Sequence, residues 1–296
     1  MSDKASPKKS SFHPKNKHIE GYNFEQLVKA NPALQKFVIQ TKYGHNSIDF
    51  FNPLAVKALN KALLIQHYGL LEWDIPKHFL CPAIPGRAEY IHRVADLLDK
   101  TNSPVNALEI GVGASCIYPI IGVTEYGWQF VGSDINQEAV ISARKIVNQN
   151  PNLKGKIDIR SQYNAGNLLK GIIRKNEFYD LVICNPPFHA SAKQAKEMAI
   201  KKLRNLKRKN TKEAILNFGG QANELWYKGG EFQFLKNLIT ESVEFSSQVN
   251  WCTSLISKKE TLNQMVHLLK NSKASDVKVI ELNTSNKISR ILCWKY

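Results

Sequence analysis

Beyond residue 102 the chain alternates short apolar runs with segments whose apolar residues recur three and four apart. "VNALEIG" (105–111), "WQFVGSD" (128–134), "KIDIRSQ" (156–162), "YDLVICN" (179–185) and "QVNWCTSLIS" (248–257) have the length and β-branched content of strands. Between or after them, "NQEAVISARKIVNQN" (136–150), "GNLLKGII" (166–173) and "KKETLNQMVHLLKN" (258–271) are spaced as helices, and "DVKVIEL" (276–282) with "ISRILCWKY" (288–296) closes the chain as a strand pair. Strands separated by helices predict a doubly wound, mostly parallel sheet, whose ligands sit beyond the carboxyl ends of the strands.

The first hundred residues follow a different pattern. "FEQLVKANPALQKFVIQ" (24–40) and "NPLAVKALNKALLIQHYG" (52–69) are spaced as helices, the second opened by Asn52 and Pro53. "AEYIHRVADLLDK" (88–100) sets Ile91, Val94, Ala95 and Leu98 on one face. The expected organisation is a basic disordered tail over 1–20, a small helical subdomain over 21–100 and an α/β domain over 101–296.

Charge narrows the choice of partner. The chain of 296 residues carries a formal charge of +16 and a pI near 9.5, which favours a polyanion, nucleic acid before an anionic membrane. Within the α/β part, residues 193 to 212 hold nine basic residues against one acidic, the centre of an expected insertion at about 190–230. Lys201, Lys202, Arg204, Lys207, Arg208 and Lys209 are its candidate phosphate contacts. Five scattered cysteines form no CxxC or Cys/His cluster, so neither a metal nor a disulfide framework is expected, and no run reaches the length of a spanning helix. These features predict a cytoplasmic protein.

Two loops carry candidate cofactor chemistry. "ALEIGVGASCIYP" places Glu109, Gly111 and Gly113 at the end of the first parallel strand, where glycine permits a sharp turn and close backbone approach. The dinucleotide fingerprint needs a third glycine where Cys116 stands. A loop headed by a glutamate suits a cationic cofactor without phosphate, and S-adenosylmethionine fits. Asp134 ends the second strand, where a carboxylate can accept from both ribose hydroxyls or can cap the following helix.

The third feature is "DLVICNPPFH", which runs a strand into Asn185, Pro186, Pro187 and Phe188. The Asn185 amide oxygen and the Pro186 carbonyl can both accept from one exocyclic amine and turn its lone pair toward a methyl donor. Phe188 offers a face for a base removed from its stack. A plain Asn-Pro turn is the simpler alternative. Trp226 and Tyr227, between Gly219, Gly220, Gly229 and Gly230, read either as a loop that closes over such a base or as a packed aromatic pair. His189, directly after the motif, reads either as a structural histidine or as an aid to proton removal.

"NPPF" is similar to the strand-ending signature of amino-group methyltransferases. "PGRAEYIHRVADLL", "LEIGVGASCIYPIIG", "CNPPFHAS" and "NFGGQANELWYKGGE" together resemble the bacterial 23S rRNA adenine-N6 methyltransferase family, whose core is shared with a eukaryotic snRNA adenine-N6 methyltransferase. The resemblance implies a Rossmann-like class I fold with a seven-stranded sheet. It also implies S-adenosylmethionine as cofactor, and N6 methylation of one adenine, numbered 1618 in the family, in free 23S rRNA or an assembly intermediate. The protein is expected to act as a monomer. It assigns Arg87 to the cofactor's carboxylate, Gly111 and Ser115 to its methionine part, Asp134 to the ribose, Asn164 to a further cofactor contact, and Asn185 and Phe188 to chemistry and base stacking. Two rivals stay open: a methyltransferase acting on glutamine side-chain amides of a protein, and a noncatalytic RNA-binding assembly factor.

Overall fold

The structure, a computed structural model, describes residues 12–98, 104–194, 197, 225–284 and 287–296. Its centre is a seven-stranded sheet of β3 (Asn106–Ile110), β4 (Gln129–Asp134), β5 (Ile157–Ser161), β6 (Tyr179–Cys184), β7 (Val249–Ile256), β8 (Asp276–Thr284) and β9 (Lys287–Lys295). The strand order is β5-β4-β3-β6-β7-β9-β8; the first five run parallel and β9 is antiparallel to both neighbours. The order reverses between β3 and β6, so the crevice that such sheets use for ligands opens beyond Ile110 and Cys184, which are paired in register.

The pleat sorts side chains into two cores. Ala107 of β3, Leu181 and Ile183 of β6 and Trp251 of β7 face one layer, and Leu108, Ile110, Val182, Cys184 and Cys252 face the other. On the first side lie α1 (Phe24–Ala30), α2 (Pro53–Tyr68), α3 (Ile84–Ala95), α4 (Ile117–Tyr126) and α5 (Gln137–Gln149). On the second lie α6 (Gly230–Glu244) and α7 (Lys259–Asn271). Asn23, Asn52 and Asn136 each cap the helix that follows, their side-chain oxygens accepting two backbone N–H bonds.

The chain departs from the sequence expectation in four places. The helix expected over 24–40 stops at Ala30. Asn31 is extended before Pro32, a short 3-10 turn follows, and Val38–Gln40 (β1) pairs with Asn46–Ile48 (β2) as a hairpin. "GNLLKGII" forms turns instead of a helix. The Glu241 carboxylate of α6 takes the N–H groups of Leu168, Leu169 and Lys170, and Gly171 turns with φ 84°. The sequence expectation holds no helix at α6, although Phe234, Leu235, Leu238 and Ile239 give it a buried stripe. Finally, part of the segment read as tail is packed: His13, Asn16 and His18 are buried. Asn16 Nδ2 donates to the carbonyl of Pro85 at 3.1 Å, and the His13 N–H to Glu89 at 2.7 Å. The N-terminal helices share one apolar cluster with β3 and β6, with Leu27, Leu59 and Trp73 in the same core as Ala107 and Leu181.

Candidate active site

The loop after β3 is held from four directions. The N–H groups of Gly111 and Val112 donate to the carbonyl of Ser133 at 2.8 and 2.9 Å. The Gly113 N–H donates to Asp134 Oδ2 at 2.9 Å, Ser142 Oγ donates to the carbonyl of Ala114, and Trp73 Nε1 to that of Ser115 at 3.0 Å. Gly111 and Gly113 have φ of 75° and 62°, the left-handed region that glycine enters without penalty. Cys116 adopts it too, at φ 53°, and starts α4 as a fully buried side chain whose thiol burial pushes well up, so it is no nucleophile.

Three charged groups converge there. Glu109, 2% exposed on β3, leaves Oε2 without a hydrogen-bond partner. Burial raises its pKa well above the carboxylate range; the nearby Arg87 charge opposes that shift and Asp134 adds to it. Asp134 lies half-buried at the end of β4, one oxygen on the Gly113 N–H and the other on that of Asn136. Burial raises its pKa while those donors pull it back. Asn136, not Asp134, caps α5, which leaves the Asp134 carboxylate at the rim of the crevice.

Arg87 is half-buried in the first turn of α3. Its Nη1 donates to Tyr118 Oη at 2.6 Å, and its guanidinium carbon lies 5.4 Å from the Tyr118 ring centre. The Asn185 amide pairs donor with acceptor when its oxygen faces this guanidinium, accepting from Nη1 at 3.0 Å and Nη2 at 3.1 Å. Behind them, Tyr90 Oη donates to the carbonyl of Cys184 at 3.3 Å and meets Thr253 Oγ1 at 3.0 Å, anchoring the end of β6. Pro186 is buried and Phe188 half-buried.

Glu109, Gly111, Gly113, Ser115, Asp134, Arg87 and Asn185 are thus gathered at one rim. Asn164 is not among them: it is exposed, and its oxygen accepts from the Gly166 N–H at 2.8 Å within its own turn. Gly219, Gly220, Lys201, Lys202, Arg204, Lys207, Arg208 and Lys209 lie outside the described residues. The ends of that segment meet in a parallel bridge of His189 with Trp226. Tyr227 packs edge-on to Phe234 of α6 at 5.2 Å and accepts from Asn237 at 2.9 Å. Sequence reasoning missed Trp73, Tyr90 and Tyr118 as supports of the site; the only available signal was that Tyr90 and Tyr118 fall inside the strings quoted for the family.

A parallel sheet with its switch point at β3 and β6, a glycine loop, a carboxylate after β4 and an Asn-Pro-Pro-Phe turn after β6 define a Rossmann-like class I S-adenosylmethionine-dependent methyltransferase. A family model described as RNA methyltransferase matches residues 6–296. The chain is 48% identical to "Ribosomal RNA large subunit methyltransferase F" of Bacteroides fragilis over 97% of its own length and 99% of the relative's. It is 45% identical to the protein of the same name from Vibrio campbellii, over 97% and 80%. The protein belongs to this RNA methyltransferase family. The hMettl16 catalytic domain, solved in complex with MAT2A 3′UTR hairpin 6, matches at a TM-score of 0.80 and 29% identity, over 97% of both chains. The N-terminal domain of human METTL16 in complex with SAH matches at 0.76 and 27%, over 96% and 98%. Among the described residues no helix is long and apolar enough to cross a membrane.

Proposed function

We propose that the protein transfers a methyl group to N6 of a single adenine in 23S rRNA, the base being flipped out of its stack and held by the Asn-Pro-Pro-Phe turn. The observation that carries this reading is the position of Asn185. It stands at the carboxyl end of β6, directly across the switch point from Glu109 and the glycine loop.

The residues fit S-adenosylmethionine. Its ammonium would find the unpartnered oxygen of Glu109, its carboxylate the Arg87 guanidinium beside it, and its ribose hydroxyls Asp134. Ile135, exposed next to Asp134, offers an apolar surface for a purine. The cofactor supplies a methyl group on a sulfonium. Asn185 Oδ1 and the Pro186 carbonyl would accept the two N6 hydrogens, and Phe188 would stack on the base. Methyl transfer to N6 would leave the cofactor as S-adenosylhomocysteine, and the extra proton would pass from the nitrogen to solvent. The basic run over 193–212 would neutralise phosphates. With an rRNA substrate, the reaction would take place in the cytoplasm.

The test is transfer of tritium from labelled cofactor to large-subunit rRNA transcripts, with the label mapped to N6-methyladenine. Asn185→Ala should lower kcat by about 10²–10³-fold, the scale of one preorganised electrostatic contact, without weakening SAH binding. Label appearing in protein glutamine would instead favour amide methylation. An unchanged cellular effect of Asn185→Ala would favour a noncatalytic assembly factor.

A further inference from the structure

The Arg87 guanidinium is asked to serve two groups. Nη1 already donates to Tyr118, and both Nη1 and Nη2 reach the Asn185 amide oxygen. That oxygen has two lone pairs, so the guanidinium takes them both. An adenine amine arriving at Asn185 would be a third donor to a filled acceptor.

We infer that Arg87 is a positioning residue for Asn185 and that the cofactor's carboxylate and the Asn185 amide compete for it, so that the amino-acid end of the cofactor releases Asn185 to receive the base. The inference rests on the reading of the site given above. A carboxylate is the stronger partner for a guanidinium, because the hydrogen bonds are charged at both ends. Tyr118 gives the movement a fixed support. Its ring lies beneath the guanidinium and is itself held edge-on by Tyr90, at 5.3 Å and 85°. The guanidinium can therefore turn toward the Glu109 side of the crevice while keeping its aromatic contact. Glu109, which would hold the neighbouring ammonium, lies close enough for its charge and that of Arg87 to interact. Base capture then follows cofactor binding, and the signal is read from the amino-acid end of the cofactor and not from its adenosine.

Two nucleosides separate these ends. S-adenosylhomocysteine carries the amino-acid group; 5′-methylthioadenosine keeps the adenosine and sulfur and lacks it. The affinity of the full-length protein for a large-subunit rRNA transcript is measured alone, with saturating S-adenosylhomocysteine and with saturating 5′-methylthioadenosine. The expected result is a tightening of about fivefold or more with the first, the lower end of ordinary site-to-site coupling, and an affinity indistinguishable from protein alone with the second. In Arg87→Met, checked for an unchanged thermal transition, S-adenosylhomocysteine should no longer tighten RNA binding. Equal effects of the two nucleosides on the native protein, no effect of either, or coupling that survives Arg87→Met would each overturn the inference. Tritium transfer to the transcript, measured in parallel, keeps the two readings apart. Transfer without differential coupling removes the competition for Arg87 alone, and absence of transfer removes the proposed function.

Discussion

Glu109 pays for its place in the crevice. A carboxyl group that is 2% exposed, with one oxygen lacking a partner, is costly to ionise, and its pKa stands well above its unfolded value near 4.5. Between those two pH values the folded chain holds a proton that the unfolded chain has lost, so the contribution of Glu109 to stability falls as pH rises through the folded pKa. Glutamine at this position does not titrate. Glu109→Gln should therefore raise the thermal midpoint at neutral pH, with a gain that shrinks toward pH 4.5, while weakening S-adenosylhomocysteine binding. Thermal melts across pH paired with calorimetric titration would check both halves; a midpoint lowered at neutral pH would contradict the account. Arg87 and Asn185 make the complementary point about legibility. Each was recognisable from its own motif. Their contact was not, because nothing in a one-dimensional pattern says that the first turn of α3 meets the end of β6.

At the scale of elements, the cofactor loop depends on a residue with no motif of its own. Trp73 is fully buried between α2 and α3, and its indole N–H fixes the carbonyl of Ser115. Trp73→Phe retains most of the apolar contact and leaves that carbonyl without its donor, at a cost of about 1–3 kcal/mol. We expect a lower denaturation midpoint and weaker cofactor binding together, read by chemical denaturation and titration of the same variant. A loss of stability with cofactor affinity intact would separate Trp73 from the loop. The elements themselves were legible where period alone decides, as in the strands 106–110, 129–134, 179–184 and 249–256. They were not where a distant group overrides local preference. Residues 168–170 carry a helical pattern, but their N–H groups go to Glu241, and the partner needed to see this lies in another helix. The turn at Asn31–Pro32 was readable in principle, since the residue before proline avoids the helical region.

At the scale of the whole molecule, a chain with a formal charge of +16 resists taking up further protons, and of the three histidines buried where the N-terminal segment meets the core, His18 and His92 are held neutral. His18 bridges Tyr68 and Tyr22, and its pKa is lowered to about 3 by burial and by the nearby His67, His92 and Lys17. His92 bonds Tyr126 through Nδ1, stacks on His13 at 5.2 Å, and is lowered to about 4, again mainly by burial. Lys17 binds Glu125 of α4 at 2.6 Å beside them, so the segment over residues 13–18 is fastened to α2, α3 and α4 at once. In the unfolded chain both histidines take up protons near 6.5, and in the folded chain only near 3 and 4. Their neutral state supports the fold fully above about pH 6.5, and that support declines as pH falls toward the folded values. The thermal midpoint should accordingly drop between pH 6.5 and 4, and amide exchange over residues 13–18 should accelerate before that of β3 and β6. His18→Gln, which cannot titrate, should flatten the slope in this window even if it lowers the midpoint at pH 7; a slope identical to the native chain would place the acid sensitivity elsewhere.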